Sequence, residues 1–173
     1  MCRPGLRSLV SVSLLLLIAG AAANAQEKVN NHKVPGDLKI TLERGACFGR
    51  CPIYKLTVDA RGNVRFVGKR FTRVTGAASA RLSRSQLTEL VRVLDDADFP
   101  AFRDNYNSRE ACADLTTDMP SETITVRAHG TTKKVFHYFG CRGEKTKAEL
   151  ERLAALARKI DEITDSKRWI GVR

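Results

Sequence analysis

Two thiols four positions apart, Cys47-x-x-x-Cys51, followed directly by Pro52, are the residues most able to do chemistry in this chain. Held as thiolates with an imidazole from His137 or His129, they would suit Cu(I), a soft ion that favours sulfur and nitrogen donors. Held as a dithiol they could exchange electrons, provided a nearby base or helix N-terminus lowered a thiol pKa. Held as a disulfide they would only fix a turn. The expectation is the disulfide, with Cu(I) handling or thiol redox as the alternative. Each histidine is first read as a packed or solvated side chain.

The compartment favours that order. Arg3 and Arg7, an apolar run from Leu9 to Ala23, and the small-x-small step Ala23-Asn24-Ala25 form the three parts of a cleavable secretory signal over residues 1–25. The run is short for a membrane span, and no second long apolar segment follows, so the mature chain is expected to be soluble, not membrane-spanning, and periplasmic or secreted. Cleavage removes Cys2 and leaves Cys47, Cys51, Cys112 and Cys141, an even number in an oxidising compartment. Three pairings are possible. Cys47 with Cys51 and Cys112 with Cys141 is preferred, because the second two flank a hairpin whose outer ends must lie close together.

Charge is the other signal. Without the leader, 28 basic residues face 19 acidic ones, a formal +9. Arg61, Arg65, Lys69, Arg70, Arg73, Arg81 and Arg84 occur with no acid among them. Arg65, Lys69, Arg70 and Arg73 are the candidate anion-binding residues, for lipid headgroups, polysaccharide or an acidic envelope protein. The plainer alternative is a charged edge strand that resists pairing with other chains. Nucleic acid is not expected, since export removes the usual partner and no recognition motif is present. Asp104, Asp114, Asp118 and Glu122 do not have the spacing of a calcium loop and read as solvated loop acids. No Ser-His-Asp arrangement, His-Glu-x-x-His or glycine-rich phosphate cradle occurs, so no catalytic residue and no cofactor is assigned, copper being the alternative.

The elements that must position these residues follow from periodicity. Residues 26–37 read as a flexible lead-in and 38–169 as one domain. Leu38, Ile40 and Leu42 alternate as in a half-buried strand. Tyr54, Leu56 and Val58 run through a turn centred on Arg61 to Val64 and Phe66, which pairs Val58 with Val64 and Leu56 with Phe66. Phe71–Thr75 could add a fourth strand. Ser83-Arg84-Ser85-Gln86 is a capping box opening a helix with Leu87, Leu90, Val91 and Leu94 on one side. Residues 98–120 read as a long surface loop pinned at Cys112. A second hairpin turns at His129-Gly130, with two registers open: a two-residue turn groups Ile124 and Val126 with Val135 and His137, a three-residue turn with Phe136 and Tyr138. Thr146-Lys147-Ala148-Glu149 is a second capping box ahead of the stripe Leu150, Leu153, Ala157, Ile160 and Ile163, and Trp169 packs the last segment down. Strands, helix, strands, helix argue α+β: an antiparallel sheet of two hairpin or meander segments, two helices on one face, stapled by disulfides.

Ile40-Thr41-Leu42-Glu43-Arg44 followed by Cys47-Phe48-Gly49-Arg50-Cys51-Pro52-Ile53-Tyr54 resembles a bacterial domain-of-unknown-function family, the one numbered 6438. Gly62-Asn63-Val64, Gly68, Asp118-Met119-Pro120, Leu150, Leu153, Ile160-Asp161 and Trp169 are similar too, so the resemblance spans about 38–169. It implies no activity. The Cys-x-x-x-Cys-Pro spacing is also similar to the copper site of Sco-type copper chaperones, but those have a thioredoxin-like fold, and the strand expected at Ile53–Val58 departs from it. The expected role is a non-enzymatic binding or interaction module at the cell envelope.

Overall fold

In the computed structural model, residues 32–171 are described; the expected signal and the start of the lead-in lie outside the described residues. Strand β1 (Lys39–Arg44) runs through the middle of the sheet because Ile40 and Leu42 leave no exposed apolar surface: both are fully buried. It pairs antiparallel with β2 (Ile53–Asp59) on one side and β7 (Ser121–Ala128) on the other. The hairpin of β2 with β3 (Asn63–Arg70) has the expected register, Val58 opposite Val64 and Leu56 opposite Phe66. Its turn is held by the Asp59 carboxylate, which accepts from the N–H groups of Arg61 and Asn63.

The expected strand at Phe71–Thr75 is a turn instead, and β4 is Gly76–Arg81. Arg73 and Val74 donate their N–H groups to the carbonyls of Ile170 and Trp169, so those donors leave the ladder. Helix α1 (Arg84–Asp96) forms with its capping box intact: Ser83 Oγ accepts from Gln86 N–H, and Gln86 Oε1 accepts from Ser83 N–H.

Residues 98–120 are not the surface loop expected. Phe99, Phe102 and Tyr106 are buried. A one-turn 3-10 helix (Phe99–Ala101) leads to β5 (Asn105–Tyr106), parallel to β8 (Thr131–Tyr138), and β6 (Asp114–Leu115) pairs with β9 (Cys141–Arg142) in a small second sheet. The two-residue turn of β8 with β7 settles the register. His129 and Gly130 both have positive φ, 52° and 75°, the primed-turn geometry that fits the strand twist. Ile124 therefore faces Val135, and Glu122 faces His137.

Asp37 caps this turn, accepting from the N–H groups of His129 and Gly130. His32 bonds Asp95 at 2.8 Å and Val34 packs against the core, so residues 32–37, expected to be flexible, are engaged.

Helix α2 (Lys147–Ile163) buries Leu153, Leu156, Ala157 and Ile160, with Leu150 and Ile163 half-buried. The second capping box does not form. Thr146 Oγ1 instead donates to Ala111 O at 3.1 Å, and Glu149 accepts from the Tyr106 hydroxyl at 2.6 Å; both side chains find partners distant in sequence. Helix α3 (Lys167–Ile170) brings Trp169 to within 5.2 Å of Phe66, centroid to centroid.

The main sheet has seven strands in the order β4-β3-β2-β1-β7-β8-β5, antiparallel except at β5. The inner face and the two long helices form one core. This is the α+β architecture expected, and both disulfides, Cys47–Cys51 and Cys112–Cys141, join the preferred pairs. Among the described residues no helix is long and apolar enough to cross a membrane.

Candidate binding site

Between the end of β1 and the start of β2 the chain must reverse within Gly45–Pro52. The Cys47–Cys51 disulfide closes that loop, with Cα atoms 5.8 Å apart. Two backbone bonds fasten it to the segment before β7: Gly45 N–H to Ser121 O at 2.8 Å, and Phe48 N–H to Asp118 O at 3.0 Å. With its backbone fixed at the sheet's end, Phe48 points away from the core and is 88% exposed. Phe71, on the neighbouring β3–β4 turn, is 39% exposed. These two are the exposed large hydrophobic side chains among the described residues. Gly68 allows the second turn to fold back, since a Cβ there would lie 2.0 Å from Val74 O.

Two cations stand over the Phe71 ring. Guanidinium carbons of Arg70 and Arg50 lie 5.0 and 5.8 Å from the Phe71 centroid, within the range of cation–π attraction. Lys69, Arg70 and Arg73 are exposed, as is Arg50, and none has an ion-pair partner among the described residues. Arg65, also exposed, lies four residues earlier on β3, about 13 Å along the strand.

Four residues before Phe48, the opposite arrangement holds. The Arg44 guanidinium, at the end of β1, donates to Glu122 and, at 3.1 Å, to Asp161. Tyr54 donates its hydroxyl to Asp161 at 2.8 Å, and so does Ser166 at 2.6 Å. Glu122 accepts in turn from His137 Nδ1 at 3.1 Å. Glu122 and His137 are 1% and 4% exposed. Burial works against the charge on Arg44, but Glu122, Tyr54 and Asp161 outweigh it and keep the guanidinium protonated. Burial, reinforced by Asp161, pushes the Tyr54 hydroxyl far above the usual phenol range. No buried side-chain nitrogen or oxygen among the described residues lacks a partner. Arg44, Tyr54 and Asp161, with Met119, Pro120 and Lys167, line a cavity of about 750 Å³.

The sequence model of the family "Domain of unknown function (DUF6438)" matches residues 38–164. The chain belongs to this family. No match is found among curated proteins. In this DUF6438 domain the residues that carry the resemblance divide between two adjoining places. Phe48 and the two half-cystines make the exposed tip; Arg44, Tyr54 and Asp161 make the buried network.

The DUF6438 domain brings Arg70, with Arg50, over the Phe71 ring; Lys69 and Arg73 are exposed neighbours of that segment in sequence, and Arg65 lies farther up the strand. It joins Cys47 to Cys51, whose sulfurs are then not thiolates, and it does not bring His137 to them: His137 is held by Glu122. Among the described residues no three His, Cys, Asp or Glu side chains are grouped to hold a metal. Of the loop acids, Asp104 pairs with Lys133 and Glu122 is a buried strand residue. Glu122 had a legible signal that the sequence reading missed, since it shares the inward phase of Ile124 in β7.

Proposed function

We propose that this DUF6438 protein is exported and acts as a non-enzymatic binding module that docks on anionic membrane surfaces of the cell envelope, with Phe48 and Phe71 entering the headgroup layer. The observation that carries this reading is Phe48, 88% exposed on a loop that a disulfide and two backbone bonds keep from closing over it. Apolar side chains left in water among unpaired cations match the two-part chemistry of a membrane interface. Burying one Phe is worth about 1.5–3 kcal/mol. Each cation near an anionic bilayer adds about 1 kcal/mol, screened by salt. Arg50, Lys69, Arg70 and Arg73 with two rings thus give reversible, salt-sensitive attachment. The leader pattern and the disulfides both favour an oxidising compartment.

Co-sedimentation of the purified protein with phospholipid vesicles tests the docking. Vesicles rich in phosphatidylglycerol should carry the protein down, those of phosphatidylcholine alone should not, and added salt should release it. Failure to bind either kind, or equal binding to both, rejects membrane docking; retention by acidic polysaccharide in its place would reassign the tip to that class. Export has its own test, the N-terminal residue of protein from cell fractions: Gln26 in the periplasm or medium is the expected result, and an intact leader in the cytosol the contrary one.

A further inference from the structure

His137 has one nitrogen that the network does not use. Nδ1 donates a hydrogen bond to Glu122, and Nε2 has no hydrogen-bond partner among the described residues. Yet no wholly buried side-chain nitrogen is unpartnered, so Nε2 keeps access to open space. The ring is 4% exposed and lines a second cavity, of about 460 Å³, between the end of β8 and the face of α2. Around that cavity stand Arg142, Lys147 and Arg158, none in an ion pair among the described residues. Glu144 and Glu151 also line it.

From this placement we infer that the cavity is a binding site for a small organic phosphate, with His137 Nε2 donating to a phosphate oxygen. The charge count fits. With the imidazole protonated, four positive groups face two carboxylates, which leaves two positive charges for a phosphate dianion. Phe139 and Leu150 supply an apolar wall for the organic group. Protonation is part of binding: Nδ1 already donates to Glu122, so Nε2 must take up a proton before it can donate as well. The charged and titratable groups around the ring are Glu122 and Arg44 behind it, Tyr106 at its edge, and the Arg142, Glu144, Lys147, Glu151 and Arg158 side chains that line the cavity. Glu122 holds the ring by its bond to Nδ1 and is itself bonded to Arg44.

Phenyl phosphate is the probe, with phenol as its uncharged control. Imidazole ¹⁵N resonances of the full chain should shift saturably with phenyl phosphate near neutral pH, the Nε2 signal moving to the protonated position, and should ignore phenol. Changing Lys147→Gln with Arg158→Gln, both on the exposed side of α2, should weaken binding about tenfold or more while the unfolding temperature stays put. Changing Arg70→Glu with Arg73→Glu at the membrane tip should leave it unaltered, which separates this site from the docking reading. Absence of a saturable His137 shift, equal response to phenol, or affinity untouched by K147Q/R158Q would each overturn the site.

Discussion

Arg44 and Arg50 stand six residues apart, one just before the disulfide loop and one within it, and meet opposite fates. Arg44 is bonded to Glu122, Asp161 and Tyr54. Arg50 has no ion-pair partner among the described residues and lies over the face of a half-exposed ring. Tyr54 and Phe48 repeat the contrast among aromatics, one buried with its hydroxyl bonded to Asp161, the other standing in solvent. Residue type does not separate the two regions, since both are built from arginine and aromatic side chains. What separates them is whether the fold has already satisfied those side chains. Groups satisfied internally hold the sheet end to α2; groups left unsatisfied are available to something outside. The single motif from Cys47 to Tyr54 serves both, its loop for contact and its last residue for anchorage.

The contrast breaks most sharply at Glu122. Glu122→Gln leaves Arg44 and His137 without their shared carboxylate, and losing one partner of a buried ion pair costs about 3–5 kcal/mol. Urea unfolding should show that loss, while the fraction still folded binds anionic vesicles as the parent does. The next effect belongs to the tip. Phe48→Ala should lower vesicle affinity by about tenfold or more, from roughly 2 kcal/mol of lost burial, and shift unfolding free energy by no more than about 0.5 kcal/mol. Replacing both Cys47 and Cys51 by alanine joins the two regions, because the loop that presents Phe48 also begins the strand that carries Tyr54. Stability should fall by about 2 kcal/mol on the chain-entropy account, and affinity should drop with it as the loop loses its fixed form.

The smallest effect lies in alkali and belongs to the buried side alone. Burial, then the bond to Glu149, pushes the Tyr106 hydroxyl up to about 12. An unfolded chain releases that proton near 10, the ordinary value, whereas the folded one keeps it. Stability from this group is therefore full below about 10 and declines as pH rises through about 12. Unfolding measured across that window should show a shallower slope in Tyr106→Phe than in the parent.

Much of this division could be read in the sequence, and the unread parts share a cause. The first hairpin was legible with its register, Leu56 and Val58 against Val64 and Phe66, because alternation and turn residues agree; the second was legible as a hairpin with two registers open, and its two-residue turn places Ile124 against Val135. The α1 box was legible because Ser83 and Gln86 serve each other locally. The same pattern at Thr146 failed, since Ala111 and Tyr106, far off in sequence, claim its two side chains. Strand β4 carries alanine, serine and glycine where alternation needs bulk, and the two-residue strands β5, β6 and β9 owe their form to partners across the fold. The basic residues of the tip were named from charge alone, but the meeting of Arg70 with Phe71 depends on a turn whose donors go to α3. Cys47 and Cys51 drew attention as reactive groups; it is the ring between them that stands exposed.

The most direct test measures vesicle affinity and unfolding free energy together for Phe48→Ala and Glu122→Gln. A crossed pattern is predicted: Phe48→Ala loses binding and keeps its stability, Glu122→Gln loses stability and keeps binding per folded molecule. Vesicle binding by folded Phe48→Ala equal to the parent's would contradict the division on which the account rests.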